Sequence, residues 1–284
     1  MDYLQIADEI GLPSIPRVSY SANSSEFRLA GLTDSKLGGA PYRPKGAGWP
    51  SDSNGQPLCF VAQLNLEQVE KDRVSAGVPP LLDGFLPTYG LLQYFLVFDE
   101  GFGIESQPNC YVYHLPDLSY APDEPLFSYQ PEVRGPIHWA NESRTPEFEE
   151  ASQFHSEDCV LKHPEVPFAL ESQAWQPGCQ YPITGWHVEA TAEHDRTWKE
   201  RVPYPGNRHR ELLGKVLHQV GGVANFTKED PRPEGSAMRL LFQLDGDDDL
   251  VKLSDSGTMQ FFIDPADLAR KDFSNVQMHW NCYY

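Results

Sequence analysis

The apolar positions of this chain fall into short runs, and four of those runs share one feature. Leu58–Leu64 and Leu91–Phe98 are almost wholly apolar, but each carries a central glutamine, Gln63 and Gln93. Near the other end Met238–Leu244 and Thr258–Ile263 repeat the pattern with Gln243 and Gln260. Runs of this length bounded by turn residues predict strands. Further strands are expected at Arg17–Ala22, Glu26–Ala30, Cys110–Leu115 and Val276–Tyr284. Helical spacing marks Asp2–Ile10 and His209–Val220, the second ended by Gly221-Gly222, and polar helices are expected at Pro146–Cys159 and Val188–Lys199. Asn65 is placed to cap a helix over Leu66–Ala76, with Gln68 at the third helical position to complete a capping box. Asp264, Pro265 and Asp267 form a helix start, because aspartate caps, proline suits the first turn and acid favours the positive end of the dipole.

The order of these runs is echoed. In each part a glutamine strand ends in Asn65 or Asp245 and is followed by a Gly-x-x-Gln-aromatic-Phe strand, led by Lys36-Leu-Gly-Gly in the first part and Leu213-Gly in the second. Two readings stand: chance likeness of short apolar strands, or an internal duplication. The second predicts a β-rich α+β body made of two related halves, about 17–100 and 209–284, with a variable middle at about 101–208 inside one domain. The middle keeps Tyr120, Phe127, Tyr129, Trp139 and Trp175, which a disordered linker would lack.

Composition narrows the class. With 25 prolines and 22 glycines the 284 residues do not suit a helical bundle. Forty-one acidic against 22 basic residues give a net charge of −19, which repels a polyanion and argues against nucleic acid. The first residues lack the basic and apolar pattern of a signal peptide, and no apolar run approaches the ~20 residues that span a bilayer, so a cytoplasmic protein without membrane contact is expected. Five cysteines without a CxxC pair fit a reducing compartment.

Ser35–Asn65, SKLGGAPYRPKGAGWPSDSNGQPLCFVAQLN, together with Gly90-Leu-Leu-Gln-Tyr-Phe, resembles the YwqG-like family, also called DUF1963. The likeness extends to His209–Cys282. There His209, Leu213, Gly214 and Gln219 fit the family's pattern, while Lys215-Val216 stands where it has Tyr-Pro, and Leu253-Ser254-Asp255 where it has Trp-Gly-Asp. The resemblance implies a fold and no established reaction. Genes of this family can lie near bacterial toxin loci, which would suit an acidic immunity-type protein facing a basic partner.

Candidate chemistry is sparse. Arg28, Lys36, Arg43 and Lys45 outnumber Asp34 over Phe27–Gly48, and Lys199, Arg201, Arg208, Arg210 and Lys215 outnumber Glu200 and Glu211 over Lys199–Lys215. Gly38 and Gly39 would let backbone N–H groups approach an anion, with Lys36, Arg43, Lys45, His209, Arg210 and Gln219 completing a ligand site between the halves. The alternative is that these bases pair with the surplus acids. Asp245, Asp247, Asp248 and Asp249 offer oxygen ligands in one turn but miss the calcium-loop spacing, so a solvated acidic turn is expected. His155, Cys159 and His163 lack a fourth zinc ligand. Cys110 with His114, or Cys282 with His279, lack an orienting acid, and no common catalytic motif is present. Gln63, Gln93, Gln243 and Gln260 must find hydrogen-bond partners, from one another and nearby loops at the interface of the halves or from a polar cleft. The residues favour a non-catalytic binding protein without metal or cofactor; the alternative is an enzyme or sensor of a small anion.

Overall fold

The computed structural model describes residues 3–22, 28–44, 47–97, 108–118, 159–161, 167–173, 178–184, 187–188, 190–202, 218–227, 230–233, 235–246, 250–253 and 257–281. In chain order the elements are α1 (Tyr3–Glu9), β1 (Ile15–Ser21), β2 (Lys36–Leu37), β3 (Cys59–Asn65), α2 (Leu66–Ser75), a 3-10 turn (Leu81–Gly84), β4 (Leu91–Leu96) and β5 (Cys110–Leu115). Short strands follow: β6 (Cys159–Leu161), β7 (Phe168–Ala169), β8 (Glu171–Ser172), β9 (Cys179–Gln180), β10 (Ile183–Thr184) and β11 (His187–Val188). The chain then forms α3 (Ala192–Arg201), β12 (His218–Gly221), β13 (Arg239–Asp245), β14 (Val251–Leu253), β15 (Thr258–Ile263), α4 (Pro265–Ala269) and β16 (Gln277–Asn281). This is a β-rich α+β protein, as its runs and turn residues predict.

Antiparallel pairing builds two main sheets, β5-β4-β3-β2-β7 and β16-β15-β13-β12-β1-β8, with β9 also on β1. They face each other across one core. Cys59, Val61, Leu64, Tyr94 and Leu96 of the first sheet belong to the same apolar cluster as Leu241, Met259, Phe261 and Ile263 of the second. The Tyr94 ring lies 5.0 Å from Phe242 and 4.8 Å from Phe261. Full burial of an aromatic or large aliphatic side chain contributes roughly 1.5–3 kcal/mol, so this shared layer is the main cohesive term. Asn109 adds a polar clip between the edges. Its Nδ2 donates to the Met278 carbonyl at 2.7 Å and its Oδ1 accepts from the Met278 N–H at 3.3 Å.

Each sheet is covered on its outer face as well. Leu58, Phe60, Phe95 and Val97 pack with Trp49, Tyr111 and Tyr113 on the first, while Ala224, Leu240 and Phe262 pack with Phe226 and Met238 on the second. That is why β4 and β15 read as continuous apolar runs rather than alternating ones. A bulge in each central strand keeps the pattern in phase. The register shifts between Phe60 and Ala62 in β3 and between Leu240 and Phe242 in β13. Val61 and Ala62, and likewise Leu241 and Phe242, therefore all join the shared core, and the following glutamine turns outward.

The same contacts recur in both sheets. Lys36 pairs with Gln63 as Gln219 pairs with Gln243, and Gln63 faces Gln93 as Gln243 faces Gln260. The Asn65 N–H donates to Ser35 Oγ at 2.9 Å, and the Asp245 N–H to His218 Nδ1 at 3.2 Å. Leu66 N–H bonds the Gly90 carbonyl, and Gly246 N–H the Gly257 carbonyl, both at 2.9 Å. Gly38-Gly39 has its counterpart in Gly221-Gly222, all four with left-handed φ.

Several expectations need correction. The helix expected over His209–Val220 ends as strand β12 at His218–Gly221, since Val220 and Gly221 pair with Val18 and Arg17 of β1 and the sheet supplies their hydrogen bonds. Residues 209–217, Leu213-Gly among them, lie outside the described residues; among those described, Gln219 pairs with Gln243 and leads into Gly221-Gly222. Val188 is in a strand, and the helix beyond it starts at Ala192, where the Thr191 side chain caps the His194 N–H. Of Glu26–Ala30 the described part makes a single bridge, Leu29 to Phe168. Asn65 caps α2, accepting from Glu67 and Gln68 N–H, but no capping box closes. The Asn65 N–H is held by Ser35, and Gln68 instead accepts from the Ser35 N–H and donates to the Leu170 carbonyl. Three short strands of the middle join the sheets: β7 extends the first, while β8 and β9 extend the second. Residues 146–158 of the expected Pro146–Cys159 helix lie outside the described residues, and Cys159 is in β6.

Helix α1 docks on the same chain, burying Ile6, Ala7 and Leu12 against Ile183, Trp198 and Val202, with Glu9 paired to Arg201 at 2.5 Å.

The paired glycines give a direct test. A Cβ on Gly39 would sit 2.5 Å from Pro167 Cβ, and one on Gly222 2.4 Å from Gln180 Oε1 and 2.9 Å from Arg17 Cβ. Gly39→Ala and Gly222→Ala are each expected to destabilise by about 2 kcal/mol or more, from backbone strain plus overlap, as read by urea unfolding. Gly55→Ala should cost less, because its left-handed φ is strained too but nothing lies within 4 Å of the added Cβ.

Candidate functional site

The polar groups on the outer faces converge on two loop residues. In the first half Gln63 Oε1 accepts from the Tyr42 N–H at 2.9 Å, while Gln93 Nε2 donates to the Tyr42 carbonyl at 2.6 Å and to Gln63 Oε1 at 2.9 Å. In the second half Gln243 Oε1 accepts from the Asn225 N–H at 2.8 Å, and Gln260 Nε2 donates to the Asn225 carbonyl at 2.6 Å. Each glutamine pair thus holds both backbone groups of one residue. All four side chains are buried. They face away from the shared core, so they line no cleft between the sheets.

A second equivalence stands beside the clamp. Trp49 packs edge-on against Phe95 and donates from Nε1 to the Leu58 carbonyl at 2.8 Å. Arg232 lies 5.0 Å over the Phe262 ring and donates from Nη1 to the Met238 carbonyl at 3.1 Å. A planar nitrogen-bearing side chain closes the loop over the sheet in both halves. Nothing local in the sequence marks Tyr42, Trp49, Asn225 or Arg232 for this role beyond the Trp49-Pro50 and Arg232-Pro233 pairs.

The groups proposed for an anion are placed as follows. Lys36 is buried, and its Nζ donates to the Gly31 and Leu32 carbonyls at 3.2 and 3.0 Å. Burial lowers its pKa from 10.5 to about 8, against the pull of Asp34. The Gly38 N–H is committed to the Val61 carbonyl, and Gly39 sits against Pro167. Arg43 Nη2 donates to the Gly48 carbonyl at 2.7 Å, and burial lowers its pKa. Gln219 Oε1 accepts from buried Arg17 at 2.9 Å, and its Nε2 donates to the Val223 carbonyl at 2.9 Å. Lys45, His209 and Arg210 lie outside the described residues. Lys36, Gly38 and Gln219 are therefore engaged with their own chain.

Of the cysteine–histidine pairs, Cys110 and His114 do not meet. Cys110 Sγ donates to the Val276 carbonyl at 3.3 Å and burial pushes the thiol up to about 12, whereas His114 stands at the other end of β5, 3.1 Å from the Tyr89 carbonyl. A protonated thiol so placed is not a nucleophile. Asp247, Asp248, Asp249, His155, His163 and Cys282 lie outside the described residues. Among the described residues no group of three or more His, Cys, Asp or Glu could hold a metal ion, and no helix is long and apolar enough to cross a membrane.

Two antiparallel sheets, each closed by a glutamine-held loop, define a β-rich α+β class. The model for a domain of unknown function, DUF1963, matches residues 35–282. The chain belongs to that family. No curated protein matches it.

The clamp and the buried lysine are separable by experiment. Gln63 makes four hydrogen bonds, two accepted and two donated to the Leu32 and Asp34 carbonyls, whereas Gln243 Nε2 has no partner among the described residues. Gln63→Leu should therefore cost about 3 kcal/mol and Gln243→Leu about 1 kcal/mol in urea unfolding; equal costs would contradict the clamp. For Lys36 the folded state releases its proton first, so stability should rise as pH climbs from about 8 to 10.5. Lys36→Met should flatten that rise in Tm.

Proposed function

We propose that this chain is a non-catalytic binding protein of the cytoplasm, acting on a basic protein partner in an immunity-type role. The observation that supports this most is the engagement of Lys36, Gly38 and Gln219 in holding their own loops, which withdraws the groups an active site at the leads would need. A net charge of −19 adds to it, since complementary charge speeds encounter with a basic surface. The free thiols of Cys110 and Cys179 agree with a reducing compartment. The matching contacts of the two sheets support descent of both halves from one duplicated unit, with the middle segment joined later to the edges of each.

Affinity capture from native lysate at low and raised salt tests the reading, with mass spectrometry of retained proteins and small molecules. The expected result is one basic protein held at low salt and lost at high salt. Retention of an anionic metabolite with no protein would overturn it.

A further inference from the structure

Three non-glycine residues among those described have positive φ: Leu82 at 52°, Asp83 at 58° and Lys271 at 57°. Lys271 directly follows the last turn of α4. Its N–H bonds the Leu268 carbonyl and the Asp272 N–H bonds the Asp267 carbonyl, the helix ending in which glycine is usual. A side chain at such a position strains the backbone, so what this side chain does bears on why it is there.

It reaches from the second half to the first. Lys271 Nζ donates to Tyr89 Oη at 3.3 Å and lies 5.2 Å from the centre of that ring. Tyr89 precedes β4 and is 44% exposed. Its carbonyl is 3.1 Å from His114 Nε2, and the His114 ring packs 6.0 Å from Tyr89 and 5.6 Å from Phe273. Because a carbonyl only accepts, that imidazole nitrogen carries the proton and pins the tyrosine backbone.

The charges nearby are directed elsewhere. Asp272 accepts from the Ser274 N–H and hydroxyl, and Asp267 takes Arg270 and Asn275. Among the described residues no carboxylate pairs with Lys271, in a chain with almost twice as many acids as bases. The phenol oxygen already accepts from Lys271, which leaves its O–H to donate outward beside the remaining ammonium hydrogens. Two donors, one of them charged, thus stand side by side and exposed where the two halves meet.

We infer that Lys271 Nζ and Tyr89 Oη form an oxyanion-binding corner between the halves, receiving the carboxylate or phosphate of a small ligand, with His114 and Phe273 holding Tyr89 in place. The site stands apart from the leads and is independent of the protein-partner reading.

Titrating the full chain with sodium phosphate, sodium acetate and sodium chloride at matched ionic strength, followed by NMR of the His114 and Tyr89 rings, tests it. Saturable shifts are expected with at least one oxyanion and not with chloride; the tighter of the two names the anion class. Lys271→Gly should bind at least about tenfold more weakly while melting no lower than the parent, since glycine suits the backbone there. Tyr89→Phe, which keeps the ring, should weaken binding about fivefold. Absence of saturation with both oxyanions, equal shifts with chloride, or undiminished binding by Lys271→Gly would each overturn the assignment.

Discussion

A buried amide in an apolar strand is the constraint around which the rest of this structure is arranged. Gln63, Gln93, Gln243 and Gln260 lie where water does not reach, so each must meet another polar group or destabilise the sheet. The nearest supply is the backbone of the loop that follows the paired glycines, and in each half that backbone folds over the outer face until Tyr42 or Asn225 is held by both its N–H and its carbonyl. The left-handed turns at Gly38-Gly39 and Gly221-Gly222 reverse the chain at the start of that path. The loop in turn brings Trp49 or Arg232 over the sheet and seals it.

Closure of the outer faces leaves the inner faces to each other. Tyr94, Phe242 and Phe261 meet in the shared layer, and Asn109 ties β5 to β16. Residues 168–172 and 179–180 then lie along both sheets, adding β7 to one and β8 and β9 to the other. The body is thus joined by its core, by one edge clip and by a segment that belongs to neither half.

These demands bear on function. Lys36, Gly38 and Gln219 look chemical when written in a line, but in the folded chain they serve the loops. A cation whose position is unusual for its backbone, and which faces the other half, is Lys271. It drew no notice in the sequence because nothing local marks it. Its φ and its reach to Tyr89 exist only once α4 and the connection before β4 are packed together.

By itself the sequence determined the four glutamine-bearing strands, the Asn65 and Asp264 caps and the family, because apolar runs, turn residues and capping side chains act over a few neighbours. The β12 segment was misread as helix because Leu212, Leu213, Val216, Leu217 and Val220 have helical spacing, while the hydrogen bonds that make His218–Gly221 a strand come from β1 and β13. The capping box failed likewise, since Ser35, thirty residues away, took the Asn65 N–H. Tertiary structure alone decided which face each glutamine turns to, through a bulge whose position depends on pairing, and which charged groups are buried. Those outcomes rest on contacts between residues distant in the chain, and no local pattern encodes them.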